Sequence, residues 1–208
     1  MDRTSKGLSS TVAVALVLAV SSTAARGDHG VDNMYRNTGQ PDCRQGTPRW
    51  DVCRADNTAH SWYLSSGYSN DMLNASISAM SGWGTSDINT VRETSLSYLE
   101  TDIHFWSDSS LTGTNTLANT DCLRAMDWLR CNAYQVRTRP DVYTGDYNLA
   151  KAVVCHEAGH TLGLLHGSES VPQVSNQQAE LGCMRTNPLT GDMRFPGSHN
   201  IQQLNSAY

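Results

Sequence analysis

Lysine is nearly missing from this chain of 208 residues; only Lys6 and Lys151 are present. The net charge is −5 and there is no arginine cluster. That pattern excludes the basic footprint of a nucleic-acid binder. No Cys-x-x-Cys pair occurs, so the six cysteines do not resemble a cysteine-rich zinc site. Internal repeats are absent, which excludes solenoids and propellers. No apolar run reaches the roughly 20 residues needed to cross a bilayer. What remains is one domain's worth of sequence, long enough for a sizeable core.

The N-terminus has the pattern of an export signal. Arg3 and Lys6 precede the apolar run Val12–Val20, and "SSTAARG" offers cleavage after Ala24 or Ala25. Residues 1–25 are therefore expected to be a signal peptide. The mature protein is expected to be secreted, extracellular and free of the membrane. In that oxidising setting an even number of cysteines implies disulfides, although six cysteines allow about 15 connectivities. Residues 26–57 are polar and read as an irregular N-terminal segment, tied down by a Cys43–Cys53 bridge. Residues 58–208 form the main domain. "RQGTPRWD" beside Cys43 suggests a cysteine-switch prosegment, but the even cysteine count argues against a free Cys43.

Within the main domain, His60–Leu64 reads as a first strand. A helix follows, with Asn70 as cap and Leu73, Ile77 and Met80 on one face. Thr101–Trp106 alternates as a strand, with Ile103 and Phe105 together. Ser107–Asp121 reads as a solvated loop, without the pattern of an EF-hand calcium site. Cys131–Pro140 reads as a strand carrying Tyr134 and Val136, which Pro140 ends. A long helix capped by Asn148 follows, and Ser198 caps a last helix with Ile201, Leu204 and Tyr208 on one face. Trp62, Trp83, Trp106 and Trp128 are assigned to the core. The fold class is α+β: a twisted mixed sheet with helices above a small, irregular C-terminal part.

The chemistry is concentrated in "CHEAGHTLGLLHG", residues 155–167, which holds three of the seven histidines. His156 and His160 are four apart, so a helix places both imidazoles on one face, one turn apart. Two neutral imidazoles so placed reach one metal ion at about 2.0–2.1 Å each. Glu157 approaches the same ion without ligating it. Gly163 allows a positive φ, which ends the helix and lets His166 return from a third direction. Three protein ligands leave a fourth position for water, the catalytic arrangement for zinc. Zinc lowers the pKa of its water toward about 7, and Glu157 is placed to take the proton as that water attacks.

His156, Glu157, His160, Gly163 and His166 match the signature of metzincin zinc endopeptidases. The chain resembles that family over residues 148–186 and more loosely over 97–140. Within the family it is most similar to small secreted matrixin-like proteases of bacteria. The resemblance implies a methionine turn, supplied by Met184 in "GCMR", under the metal but not bound to it. Gly167 departs from the usual subfamily markers. Thr186 replaces the tyrosine that some members use as a further ligand, so three histidines plus water are expected. By the same resemblance an extended substrate lies along an exposed edge strand, assigned to Asn132, Ala133, Tyr134, Gln135, Val136 and Arg137. If Met184 lies beneath the metal, Cys183 passes close to the helix. That implies a Cys155–Cys183 disulfide, worth roughly 3–4 kcal/mol, and leaves Cys43–Cys53 and Cys122–Cys131 as local loops.

These readings converge on a monomeric secreted zinc metalloendopeptidase acting on protein or peptide substrates. Its cofactor is Zn2+; calcium is possible, with no motif in support. His60, His104 and His199 lack the spacing of a second metal site and read as half-buried histidines. Two alternatives stay open: a non-catalytic, zinc-stabilised extracellular binding module, and a zinc peptidase of narrow specificity.

Overall fold

The computed structural model describes residues 30–36, 42–43, 52–186 and 194–208. The expected signal peptide, residues 1–25, lies outside the described residues. Six strands form one mixed sheet: β1 (Arg54–Ala55), β2 (Ala59–Leu64), β3 (Asn89–Arg92), β4 (Ile103–Ser107), β5 (Ala118–Ala125) and β6 (Arg130–Thr138). Among the described residues four α-helices accompany it: α1 (Asn70–Trp83), α2 (Pro140–Tyr143), α3 (Tyr147–Thr161) and α4 (Ser198–Ala207).

Strands β3, β2, β4 and β6 run parallel, side by side. β5 returns antiparallel on β6. β1 meets β6 at Arg130 and Cys131, and β4 meets it from Tyr134 to Thr138. Since β5 pairs with β6 over both stretches, β1 and β4 must share the other side. Among the described residues β5 is thus an edge strand, and β6 has no free edge.

This corrects the expected substrate strand. Asn132, Ala133, Tyr134, Gln135, Val136 and Arg137 lie inside the sheet, between neighbours. Tyr134 and Val136 are 1% and 0% exposed. Their apolar alternation made the segment legible as a strand because the strand is central. The edge strand instead begins inside the segment that reads as a loop. Its sequence, ANTDCLRA, shows no apolar alternation, because an edge strand with wet surfaces has little to bury.

Trp62, Leu64, Ile103, Phe105 and Val136 pack with α1 and α3 in the main core. The buried stripe of α1 is Met72, Ala75, Ser76, Ala79, Met80 and Trp83. Ile77, expected on that stripe, is 42% exposed. Small residues replace large ones because α1 lies close to α3, which presents Ala150, Cys155 and Ala158 to the same core. Trp83 donates its indole N–H to Cys155 O (3.1 Å). Trp128, by contrast, is 46% exposed.

Helix starts also differ from expectation. Ser69, not Asn70, caps α1 by accepting from Met72 N. Asp146, not Asn148, caps α3 by accepting from Asn148 N and Leu149 N. α4 follows Gly197, with no side-chain cap.

Residues 31–36 are built into the same body. Asp32 pairs with Val171 and Met34 with Leu164. Buried Asn33 donates to Leu165 O and to Asn200 Oδ1, both at 3.1 Å. Asn200 in turn donates to Leu181 O (2.7 Å).

Candidate metal centre and cleft

The Asp146 cap starts α3 and carries it to Thr161, so His156 and His160 stand one turn apart on a rigid element. Gly159 lies between them. A Cβ there would collide with Met184 Sδ and stand 3.0 Å from Trp83 Cζ2. Its absence lets fully buried Met184 press against the turn that carries both histidines. Gly163 then adopts φ 88°, and a Cβ there would meet Arg54 Cγ at 3.0 Å and Cys53 O at 3.3 Å. Both the backbone turn and the close approach require glycine. The chain reverses there and brings His166 back to the helix.

The three rings converge. His156 Nε2 lies 3.1 Å from His160 Nε2 and 3.0 Å from His166 Nε2. Each ring has its other nitrogen engaged. His156 Nδ1 donates to Cys183 O (2.8 Å) and His160 Nδ1 to Leu164 O (2.7 Å). His166 Nδ1 lies 3.2 Å from Glu169 Oε2, which also accepts from His166 N (3.0 Å). A carbonyl only accepts, so Nδ1 of His156 and His160 carries the proton. Their Nε2 lone pairs are left facing each other, an arrangement a shared cation resolves. Ligands at about 2.0–2.1 Å in a tetrahedron lie about 3.3 Å apart, close to these separations. The donor set, neutral imidazoles with anchored outer nitrogens, fits zinc.

Burial keeps His156 and His160 neutral. It lowers the pKa of His156 to about 4, assisted by the charge of His166. His160 is driven well below its ordinary value, again chiefly by burial. Among the described residues, this trio is the only such group placed to hold a metal. His60 and His199 are buried rather than half-buried, and His60 Nε2 contacts Thr161 Oγ1 at 2.9 Å. His104 contacts Ser65 Oγ (2.6 Å). In the 107–121 segment, Asp108 and Asp121 are engaged by Arg137 at 3.4 and 2.8 Å.

Glu157 is 7% exposed. Burial raises its pKa to about 7, opposed by the hydrogen bond from Thr120. Thr120 Oγ1, on β5, donates to Glu157 Oε2 at 2.6 Å. Oε1 has no partner among the described residues. Beside the trio lies a cavity of about 450 Å³, lined in part by Leu117, Ala118, Val153, Glu157 and Arg185.

Three cysteine pairs stand at bonding distance: Cys43–Cys53, Cys122–Cys131 and Cys155–Cys183, with Cα separations of 5.9, 6.0 and 5.9 Å. The last joins α3 to the residue before Met184. Sequence reasoning missed Thr120 and Glu169. Thr120 carries no local signal, because its partner is 37 residues away. Glu169 does carry one, an acid three residues after the third histidine.

No family model and no curated protein matches the chain. Among solved structures it is similar to high choriolytic enzyme 1, a hatching-enzyme zinc protease from the medaka fish Oryzias latipes. The two are 16% identical, with 74% of this chain and 92% of that chain covered and a TM-score of 0.42. At that level the likeness bears no weight, and the functional reading rests on the site.

Proposed function

We propose that this protein is a secreted zinc endopeptidase of metzincin type. The observation that carries the reading is the trio of inward-facing Nε2 atoms beside a buried carboxylate at the wall of a cavity. His156, His160 and His166 would hold the ion. Bound zinc would supply Lewis acidity, polarising a peptide carbonyl and acidifying water.

The chain's own groups do the rest. Thr120 occupies one oxygen of Glu157 and orients the carboxyl, leaving Oε1 to take a proton from water. A pKa raised to about 7 suits a group that accepts a proton and then returns it to the leaving nitrogen. Met184 packs against Gly159 and backs the helix turn that carries His156 and His160. The open edge of β5 offers backbone groups to an extended substrate, and Thr120 links that strand directly to Glu157. Export agrees with three cysteine pairs at bonding distance.

Glu157→Gln tests the reading. The variant is expected to keep one zinc per chain and to lose about 10²–10⁴-fold in peptide hydrolysis. Zinc analysis and casein digestion, each with and without a chelator, measure both. A variant that holds zinc and cleaves within a few-fold of wild type refutes the assigned base. Wild-type protein that holds zinc and cleaves nothing favours a binding module.

A further inference from the structure

The cavity beside the histidines has an uneven lining. Leu117, Ala118 and Val153 supply an apolar wall, with Val153 one turn before His156 on α3. Two further ionisable residues, Glu157 and Arg185, line it beside the histidines. Thr120 holds Glu157. Arg185 is held differently. Its Nε donates to Gly182 O at 3.2 Å, which fixes the guanidinium against the bend that precedes Cys183 and Met184. No carboxylate pairs with it among the described residues. Both terminal amino groups therefore keep their donors available, half-buried beside an apolar surface. A planar guanidinium fixed at Nε presents the fork that matches a carboxylate.

We propose that Arg185 is a specificity-determining residue that receives a substrate carboxylate in this cavity. The inference rests on the zinc-peptidase reading of the site and adds the substrate class. The methylene stem of a glutamate would lie along Leu117, Ala118 and Val153, and its head would meet Arg185. His156, Glu157 and His166 line the same cavity, so the selected side chain belongs to a residue next to the bond that is cut. A free peptide C-terminus carries the same chemistry and is the second possible source.

Peptide pairs that differ only by Glu or Gln at one position, blocked at both ends, test the proposal. The wild type is expected to favour Glu by about 10–100-fold in kcat/KM, the range a charge-assisted hydrogen bond supports. Arg185→Gln should bring the ratio near one, Arg185→Lys should keep only part of it because an ammonium lacks the Nε anchor and the fork, and Arg185→Glu should favour Lys over Glu. A third peptide set with a free C-terminus separates the sources. If only that set is preferred, and Arg185→Gln abolishes the preference, Arg185 keeps its role with the chain terminus as ligand.

Titration calorimetry of the same peptides on zinc-loaded Glu157→Gln protein reads binding without turnover. If wild type cleaves nothing yet binding still discriminates through Arg185, the peptidase reading falls and the carboxylate site stands. Zinc content equal to wild type shows that each variant is folded. No carboxylate preference in binding or cleavage, or a Glu preference that survives Arg185→Gln, overturns the proposal.

Discussion

His156 and His160 are supported differently from His166. The first two sit on one helix, and their outer nitrogens donate to backbone carbonyls of Cys183 and Leu164. His166 sits past the Gly163 turn, and its outer nitrogen faces a carboxylate, Glu169. Backbone carbonyls belong to the fold and change only if the fold changes. A carboxylate is a side chain and can be altered alone. Two of the three proposed ligands are therefore set by architecture, and the third is held by a replaceable group.

Removing a ligand should give the largest effect and should separate the two kinds of support. His160→Ala and His166→Ala should each weaken zinc binding by more than the ~10–100-fold that outer-shell changes cost. The metal-free proteins should differ. His160 is 6% exposed, and its loss leaves Leu164 O without its donor, costing about 1–3 kcal/mol. His166 is more open, and its loss should leave the unfolding temperature nearly unchanged. Equal thermal stability of the two metal-free variants would remove the distinction.

Acid should reveal a fourth imidazole that shares the burial without the metal. His60 has its pKa lowered to about 4, chiefly by burial. Its Nε2–H donates to Thr161, and its buried Nδ1 has no partner among the described residues. Between pH 6.5 and about 4 the unfolded chain therefore binds a proton that the folded chain refuses. Stability is full above 6.5 and declines as pH falls through that window, by at most about 3 kcal/mol. His60→Gln keeps a donor for Thr161 and does not titrate. Its metal-free acid transition should lie at lower pH than the wild type's. An unchanged midpoint would show that His60 is not the refusing group.

Glu169→Gln should give the smallest effect. It keeps the shape and the acceptor oxygen but removes the charge facing His166. Zinc affinity should fall by about 10–100-fold, measured by competition with a chelating dye, with thermal stability of the metal-free protein unchanged. An unchanged affinity would mean that the carboxylate supports only the backbone N–H of His166.

The candidate metal centre was the most legible part of the sequence because its spacing is the periodicity of a helix plus one turn. His156, His160, Gly163 and His166 state their geometry locally. So do Ile103 and Phe105, whose alternation marks a buried strand. Legibility failed where burial depends on distant partners. Thr120 looks like a loop residue until β6 lies beside it. Ile77 looks like core until the close packing of α1 on α3 selects Ala75, Ser76 and Ala79 instead. Asp146 displaced Asn148 as cap because several polar residues before a helix compete, and only the backbone decides among them.

Asn33 has a consequence for the order of assembly. Its amide reaches Leu165, 132 positions along the chain, and Asn200, 167 positions along. His156 and His160 share one helix, and their outer nitrogens reach Cys183 and Leu164, 27 and 4 positions away. The loop that presents His166 is completed only when residues 31–36 and the last helix have both arrived. Such distant closures carry the greatest chain-entropy cost and form late. A chain lacking those closures would thus present His166, the third proposed ligand, out of place. The finished centre exists only in the closed molecule, so metal capture would report on completion of the whole fold.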